Sequence, residues 1–275
     1  MSSGATYADA GRRQAGDRII DAIIGSLRQT GDRVCGQARL EESNVHEARK
    51  TLKKVRAGLR MLEDAAGARL SDANDLCRDL GRLLSGLRDI DVCLLTLQGL
   101  REVPEGEAAA LARKLRRRRQ EIHDELRPDP VAEARISADL AGIERVLLDL
   151  DGDVFTTARL IAAVDLAGQL GERRYRALAT DGSEEAFHSL RKAAKRELYQ
   201  RRYLADAGVA GDLRLELLDV LGEHLGRHQD LSVLREVAAE LDALGEGLAR
   251  TIEDEIATER SSCLALAAQA YGGPG

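Results

Sequence analysis

Two short segments of the chain combine a histidine with a dense series of lysines and arginines at helical spacing. The first begins at His46 with HEARKTLKKVRAGLRML, and the second begins at His188 with HSLRKAAKRELYQRRYL. Residues 46–60 and residues 188–202 each contain six Lys or Arg side chains and a single acid. Cations concentrated in this way can hold an anion through charge-assisted hydrogen bonds.

On a helical wheel, the cations of each segment form one stripe about 120° wide. The first stripe consists of His46, Arg49, Lys50, Lys53, Arg56 and Arg60, with Lys54 at its edge. The second stripe consists of His188, Arg191, Lys192, Lys195, Tyr199 and Arg202, with Arg196 as a further candidate. The opposite side of the first helix carries Val45, Ala48, Leu52, Val55, Leu59 and Leu62. Each helix is therefore predicted to pack by an apolar side and to present cations on the other.

A basic helix face is often only a solvated surface. Like charges one turn apart destabilise a helix by about 0.2–0.5 kcal/mol per pair, so a long stripe is costly unless an anion neutralises it. Because the stripe occurs twice in equivalent places, we favour anion binding. A third basic run, ARKLRRRRQEIH at 112–123, places Arg113, Arg116 and Arg117 opposite its own apolar residues, and it fits a solvated face equally well.

An internal repeat sets the expected architecture. The two basic segments align when His46 is placed on His188. Downstream, LGRLLSGLRDIDV at 80–92 aligns with LGEHLGRHQDLSV at 221–233, at a spacing that is shorter by a single position. Two blocks at nearly the same spacing predict a duplication whose halves meet near Pro128–Pro130.

The chain is predicted to be all-α. Apolar residues recur at three and four positions, and short joints containing Gly or Pro separate the predicted helices, with two helices expected at 211–227 and 230–244. We predict two pseudo-symmetric antiparallel helical bundles, at about 13–128 and 131–271, within one domain at 13–271. Residues 1–12 are expected to form a flexible N-terminus.

Other residues that could do chemistry have simpler explanations. His224 and His228 stand one turn apart and could share a metal, but their equivalents in the first copy are leucines, which favours packing. Asp89 and Asp91 could hold Mg²⁺, but a helix cap and a first-turn acid explain them as well, with Asp91 pairing with a nearby base. No nucleotide-binding or hydrolase motif is present. We predict no catalysis, no cofactor and no metal.

Composition narrows the function further. The net charge is −6, yet seven acids lie in residues 240–259, so the total does not argue against an anionic ligand. Two Phe, five Tyr and no Trp offer little for base stacking, which makes nucleic acid an unfavoured partner. The four cysteines are scattered without a CxxC pair, which favours reduced thiols in a cytoplasmic protein. No apolar run predicts a membrane span or a secretory signal.

His-x-x-Arg-Lys-x-x-Lys-Lys-Val-Arg at 46–56 resembles the signature of the conserved histidine α-helical domain family, known as CHAD. Arg-Asp-Ile-Asp-Val at 88–92 is similar to the second-block motif of that family, and the resemblance covers residues 13–271. His188, Arg191, Lys195, Arg196 and Tyr199 match the second copy of the signature. The resemblance implies basic helices that face a central groove or pore and bind inorganic polyphosphate. It also implies residence on polyphosphate granules, with polyphosphate-metabolising enzymes as further partners.

Polyphosphate suits these residues on physical grounds too, because it is a flexible chain of closely spaced charges without bases. Two alternatives stay open: a binder of the nucleic-acid backbone that uses the same stripes, and a phosphohydrolase or a regulatory subunit of one. The second copy departs from the family pattern, since Arg56 is replaced by Leu198 and Asp91 by Ser232. We therefore expect the second half to bind more weakly, or only the first set of cations to be complete.

Overall fold

A computed structural model describes residues 14–37, 42–67, 70–84, 86–125, 130–209 and 214–272. This part of the chain is all-α, as predicted, with ten α-helices, a 3₁₀ turn at Gly152–Val154 and no strand. The helices are α1 Ala15–Val34, α2 Glu42–Ala66, α3 Ser71–Leu83, α4 Gly86–Gln98, α5 Glu105–Glu125, α6 Pro130–Leu148, α7 Thr157–Asp181, α8 Glu184–Asp206, α9 Arg214–Glu240 and α10 Glu246–Tyr271. The predicted flexible N-terminus, residues 1–12, lies outside the described residues.

Helix α2 packs by the side that its sequence pattern predicts. All six apolar residues opposite the first stripe are buried, and Leu52, Val55, Leu59 and Leu62 are at most 1% exposed. They belong to one cluster with apolar side chains of α1, α3, α6 and α7. Burying side chains of this size stabilises the fold by about 1.5–3 kcal/mol each, so packing fixes the direction in which the cations point.

The apolar core consists of three clusters. The largest joins α1, α2 and α3 to α6, α7 and the end of α8. A second joins the end of α7 and the start of α8 to α9 and α10. The third joins α4 and α5 to the end of α9 and the start of α10. Two of the three clusters therefore combine helices from both sides of Pro128–Pro130.

The prediction of separate helices at 211–227 and 230–244 is wrong, because α9 is continuous from Arg214 to Glu240. A glycine inside a helix costs about 1 kcal/mol relative to alanine, and α9 contains two. Burial of Leu225, Leu231 and Leu234 outweighs that cost, since each is at most 1% exposed. Proline is absent from the segment, so no backbone donor is lost within it.

Equivalent helices begin at the spacing of the sequence repeat. The pairs of first residues are Ala15 and Thr157 for α1 and α7, Glu42 and Glu184 for α2 and α8, and Glu105 and Glu246 for α5 and α10. The first two pairs are as far apart along the chain as His46 and His188, and the third pair is as far apart as Leu80 and Leu221. Helix pairing recurs in the same order: α1–α2 and α7–α8, α2–α3 and α8–α9, α4–α5 and α9–α10.

The start of α8 is fixed by a tight connection from α7. Gly182 ends α7 in the left-handed region at φ 64°, and its N–H donates to the carbonyl of Leu178. Ser183 then caps α8 by accepting a hydrogen bond from the N–H of Ala186. This connection sets the position from which the second stripe begins.

Candidate anion-binding site

The first stripe lies along α2 on the side that meets α3. Nη1 of Arg49 donates to the carbonyl oxygen of Gly81 at 2.7 Å. Nε of Arg56 donates to Oδ1 of Asn74 at 3.1 Å. Both acceptors belong to α3, so this helix holds two guanidinium groups of the first stripe in place.

The N-terminal part of the first stripe faces solvent. Glu47 Oε1 lies 3.7 Å from Nε2 of His46 and 3.6 Å from Nζ of Lys50, between the two. Lys53 is exposed and Lys54 is half-buried. This end of the stripe is therefore open to a ligand, and Glu47 offsets part of its charge.

The second stripe lies along the interface between α8 and α9, and its ends are held by polar side chains of α9. Nη2 of Arg202 donates to Oδ2 of Asp219 at 2.7 Å. At the other end, Nδ1 of His188 lies 2.7 Å from Oε1 of Gln229. The amide oxygen can only accept, so Nδ1 of His188 donates this hydrogen bond.

The middle of the second stripe is crowded and partly removed from water. Burial lowers the pKa of Lys195, and the charges of Arg191 and Arg202 act in the same direction against the opposing carboxylates of Asp219 and Glu223. Nε of Arg191 is buried and has no hydrogen-bond partner among the described residues. A buried charged donor without an acceptor is costly, and an anion between these side chains would relieve that cost.

The two stripes meet because α2 and α8 pack directly against each other. Nε2 of Gln200 on α8 donates to the carbonyl of Ala57 on α2 at 3.0 Å, and both residues are buried. An ion pair between Arg196 and Asp64 also bridges the two helices. Burial lowers the pKa of Arg196, and the nearby charge of Arg60 lowers it further, so cations of both stripes approach at this contact.

The same electrostatic feature occurs in the first stripe. Burial lowers the pKa of Arg56, and the charges of Arg60 and Arg78 add to this effect. Arg56, Lys195 and Arg196 are thus three cations whose charged state is disfavoured by burial and by like charges. Groups perturbed in this way concentrate at functional sites, and here the ligand that would relieve them is an anion.

The third basic run is placed elsewhere. Within the part of the chain that the structure describes, α5 packs against α4 and α10 rather than against α2 or α8. Arg113, Arg116 and Arg117 are exposed, and Arg117 pairs with Glu121 at 3.1 Å. The structure therefore brings the two stripes together but leaves these three arginines on a separate element.

His224 and His228 do not face a common point. Nδ1 of His224 lies 2.7 Å from a carboxylate oxygen of Glu259. His228 is 2% exposed and stacks on Phe187 with ring centroids 4.4 Å apart. Its Nε2 lies 3.3 Å from Nε of Arg260. Among the described residues, no group of three or more His, Cys, Asp or Glu side chains is arranged to hold a metal.

The remaining predicted residues behave as structural ones. Asp91 is buried and accepts a hydrogen bond from Nε of Arg119 at 2.5 Å, which confirms the expected pairing with a nearby base. The helix cap assigned to Asp89 is wrong, because α4 begins at Gly86 and Asp89 lies within the helix. The side chain of Asp89 lies outside the described residues. Leu198 is fully buried in the cluster shared by α7, α8, α9 and α10, so the position equivalent to Arg56 serves packing in the second copy.

Several residues that shape the site were missed by sequence reasoning. Gln229 lies in the aligned block at 221–233, and its polar side chain beside two histidines was an available signal. Asp64, Asn74 and Asp219 carry no such signal, because each pairs with a cation on a different helix. Helical periodicity assigns a residue to a face but does not say which neighbouring helix will meet that face.

Comparisons with known proteins agree with this architecture. The chain is similar over nearly its whole length to a solved structure, the crystal structure of the CHAD domain from the plant Ricinus communis. That match has a TM-score of 0.64 and 19% sequence identity, and it covers 95% of this chain and 93% of the plant chain. At this identity the likeness shows the fold alone. A comparison with curated proteins gave no match.

None of the helices that the structure describes is long and apolar enough to span a bilayer. The family model for the CHAD domain matches residues 18–239, which include both stripes and the helices that hold them. The chain therefore belongs to the CHAD domain family.

Proposed function

We propose that this protein binds inorganic polyphosphate through the two stripes of α2 and α8. The observation that carries the proposal is the partial burial of three cations, Arg56 against α3, Lys195 against α9 and Arg196 against α2, which lowers their pKa values. Cations held in this state are stabilised by a ligand with closely spaced negative charges. The family resemblance drawn from His46 and His188 points to the same ligand.

The site favours polyphosphate over nucleic acid. Tyr199 is the aromatic side chain of the second stripe, and it is only 8% exposed, so a base has little surface on which to stack. The first stripe contains no aromatic residue. Recognition would therefore rest on phosphate contacts, which bases do not improve. Long-chain polyphosphate should displace labelled RNA or DNA far more readily than the reverse.

We propose further that the chain is a duplication whose basic helices border a central groove or pore. The repeated order of helix pairing and the matched spacing of the helix starts support the duplication. The direct packing of α2 on α8 supports a shared binding surface. Arg113, Arg116 and Arg117 on α5 would then contact only those ligands that extend beyond the two stripes.

A double charge reversal tests the proposed function. Lys53→Glu with Lys195→Glu changes one cation in each stripe and should abolish binding of long-chain polyphosphate in a calorimetric titration. The matched control is Arg135→Glu with Arg145→Glu, which makes the same change in net charge at exposed positions of α6. The control should bind like the unchanged protein, and both variants should keep its far-ultraviolet circular dichroism. Retained affinity in the stripe variant would refute the assignment of the site.

We propose that binding occurs without turnover. Phosphate release from polyphosphate would be measured with Mg²⁺, Mn²⁺ and Zn²⁺ in turn, and steady release with any of them would favour the phosphohydrolase alternative instead. Residence on polyphosphate granules in the cytoplasm, beside polyphosphate-metabolising enzymes, follows as the expected cellular setting. Fluorescent fusions of the unchanged protein and the stripe variant would differ in granule association if the stripes direct it.

A further inference from the structure

The interface between α8 and α9 contains a series of four contacts, and the two central contacts each involve a glycine of α9. Four residues of α9 lie at positions that share one helix face, and each meets a member of the second stripe. The four contacts are Arg202 with Asp219, Lys195 with Gly222, Arg191 with Gly226, and His188 with Gln229. Polar side chains of α9 thus hold the two end members of this series, whereas the two central cations, Lys195 and Arg191, face the backbone of α9.

Gly222 is required by the position of Lys195. A Cβ atom placed on Gly222 would lie 2.8 Å from both Cε and Nζ of Lys195, which is closer than carbon and nitrogen atoms can approach. At Gly226, a Cβ atom would lie 3.7 Å from Nη2 of Arg191. Glycine therefore lets the lysine lie flat against α9, with its ammonium beside Arg191 instead of extending into solvent.

The equivalent place in the first copy is different. Gly81 occupies the position of Gly222 in the aligned block, but a Cβ atom added to Gly81 would meet nothing within 4 Å. Lys53, the equivalent of Lys195, is exposed. The two stripes are therefore built differently, although their sequences align: the first leaves Lys53 exposed to solvent, whereas the second holds Lys195 against a neighbouring helix.

We propose that Gly222 is a positioning residue of a subsite on the second stripe, in which Arg191 and Lys195 together grip one phosphoryl group. This inference rests on the proposed function and deepens it. The buried Nε of Arg191, which has no hydrogen-bond partner in the described part of the chain, supplies a directed donor for a phosphate oxygen. Lys195 supplies a second cation whose position is set by the backbone of α9. The first stripe would then follow the ligand chain with its exposed side chains.

The subsite reverses one expectation from the sequence. Replacement of Arg56 by Leu198 suggested weaker binding by the second half. However, two cations held rigidly lose less conformational freedom on binding than exposed ones, because an exposed lysine side chain gives up rotamer entropy when it is fixed. Short ligands, which contact few cations, should therefore depend more on Lys195 than on Lys53.

The test uses a substitution that removes no charge. Gly222→Ala should displace the far end of Lys195 while the helix gains propensity, so folding should be preserved. The matched control is Gly142→Ala on α6, where an added Cβ atom also meets nothing within 4 Å. In calorimetric titrations with tripolyphosphate at fixed salt, Gly222→Ala should lower the affinity about tenfold, the typical loss of one hydrogen bond to a charged group. Gly142→Ala should have no effect.

A double-mutant cycle and a measurement without ligand complete the test. Lys195→Gln should cost about the same as Gly222→Ala, and the double variant should lose nothing further. In the ligand-free protein, the Lys195 pKa measured by nuclear magnetic resonance should rise toward its ordinary value in Gly222→Ala but not in Gly142→Ala. Independent losses that add, or an unchanged Lys195 pKa, would overturn the inference and leave the proposed function standing. Absence of tripolyphosphate and long-chain binding by the unchanged protein would overturn both.

Discussion

Glu197 is a fully buried acid on α8, and its removal should destabilise the fold strongly. Its carboxylate accepts hydrogen bonds from Nε of Arg201 at 2.8 Å and from the hydroxyl of Tyr271 at 2.9 Å, and Nε of Arg214 lies 3.6 Å away. Tyr271 belongs to the last turn of α10, so this one carboxylate joins the basic helix to the C-terminal helix. Removing one partner of a buried ion pair costs about 3–5 kcal/mol.

The size of the expected loss of stability follows from the interactions that the substitution of Glu197 removes. In Glu197→Val, the Arg201 side chain, which is 14% exposed, keeps its charge but loses this carboxylate, and the buried hydroxyl of Tyr271 loses its acceptor. We expect a loss of about 4 kcal/mol, which lowers the melting temperature by about 10 °C in a chain of this size. Urea unfolding followed by circular dichroism gives the free energy, and differential scanning calorimetry gives the temperature.

The first copy of the repeat provides the control. Val55 and Leu59 occupy the positions equivalent to Glu197 and Arg201, and both are fully buried. The double variant Glu197→Val with Arg201→Leu should therefore recover part of the loss, because it removes the guanidinium together with its carboxylate. Glu144→Ala, which breaks a surface pair with the 63% exposed Arg28, should cost far less, because solvent screens this pair. If Glu197→Val costs no more than Glu144→Ala, the buried network does not stabilise the fold as argued.

Two further predictions concern groups whose pKa values are shifted by burial in opposite directions. Burial raises the pKa of the Cys77 and Cys263 thiols to about 12 from 9.0. Above pH 9 the unfolded chain therefore releases protons that the folded chain keeps. The free energy of unfolding should then fall by about 1.4 kcal/mol per pH unit for each thiol. Urea unfolding between about pH 8 and 11 should decline less steeply for Cys77→Ala with Cys263→Ala, and parallel curves would contradict this assignment. Burial lowers the pKa of His228 below 6.5. The contribution of the neutral His228 side chain to the free energy of unfolding is therefore complete above pH 6.5 and is lost as the pH falls. His228→Leu, which installs the residue of the first copy, should flatten the acid decline measured between about pH 7 and 5; an unchanged slope would exclude His228 as its source.

Helix positions and buried faces could be predicted from the sequence because both depend on local periodicity. The apolar side of α2 follows directly from the spacing of Val45, Ala48 and Leu52, and burial at these positions confirms it. The prediction of a break within α9 is wrong because the continuity of this helix depends on contacts with other helices and not on local sequence alone. Glycine propensity near Gly226 is a local property, and the packing of Leu225 and Leu231 that overrides it comes from other helices.

The charges of the candidate site could be predicted, but their environments could not. The sequence places Lys53 and Lys195 at equivalent positions, yet one is exposed and the other is held against α9. That difference depends on the distance between two helices. Side-chain pattern carries no information about this distance, because Gly81 and Gly222 are the same residue in the same block.

One difference between the two copies supports the duplication. It also indicates that an arginine on α5 and its equivalent on α10 each need a carboxylate partner. Arg119 on α5 and Arg260 on α10 are equivalent at the spacing of the second aligned block, and Arg119 bonds the buried Asp91. At the position equivalent to Asp91 the second copy has Ser232, which removes the charge. Glu184, the first residue of α8, replaces it: Nη2 of Arg260 donates to its Oε1 at 2.7 Å, and the hydroxyl of Ser232 donates to its Oε2 at 2.9 Å. The serine therefore has a structural role of its own, although it lacks the charge of Asp91. It orients a carboxylate supplied by the basic helix itself, which ties the start of the second stripe to α9 and α10.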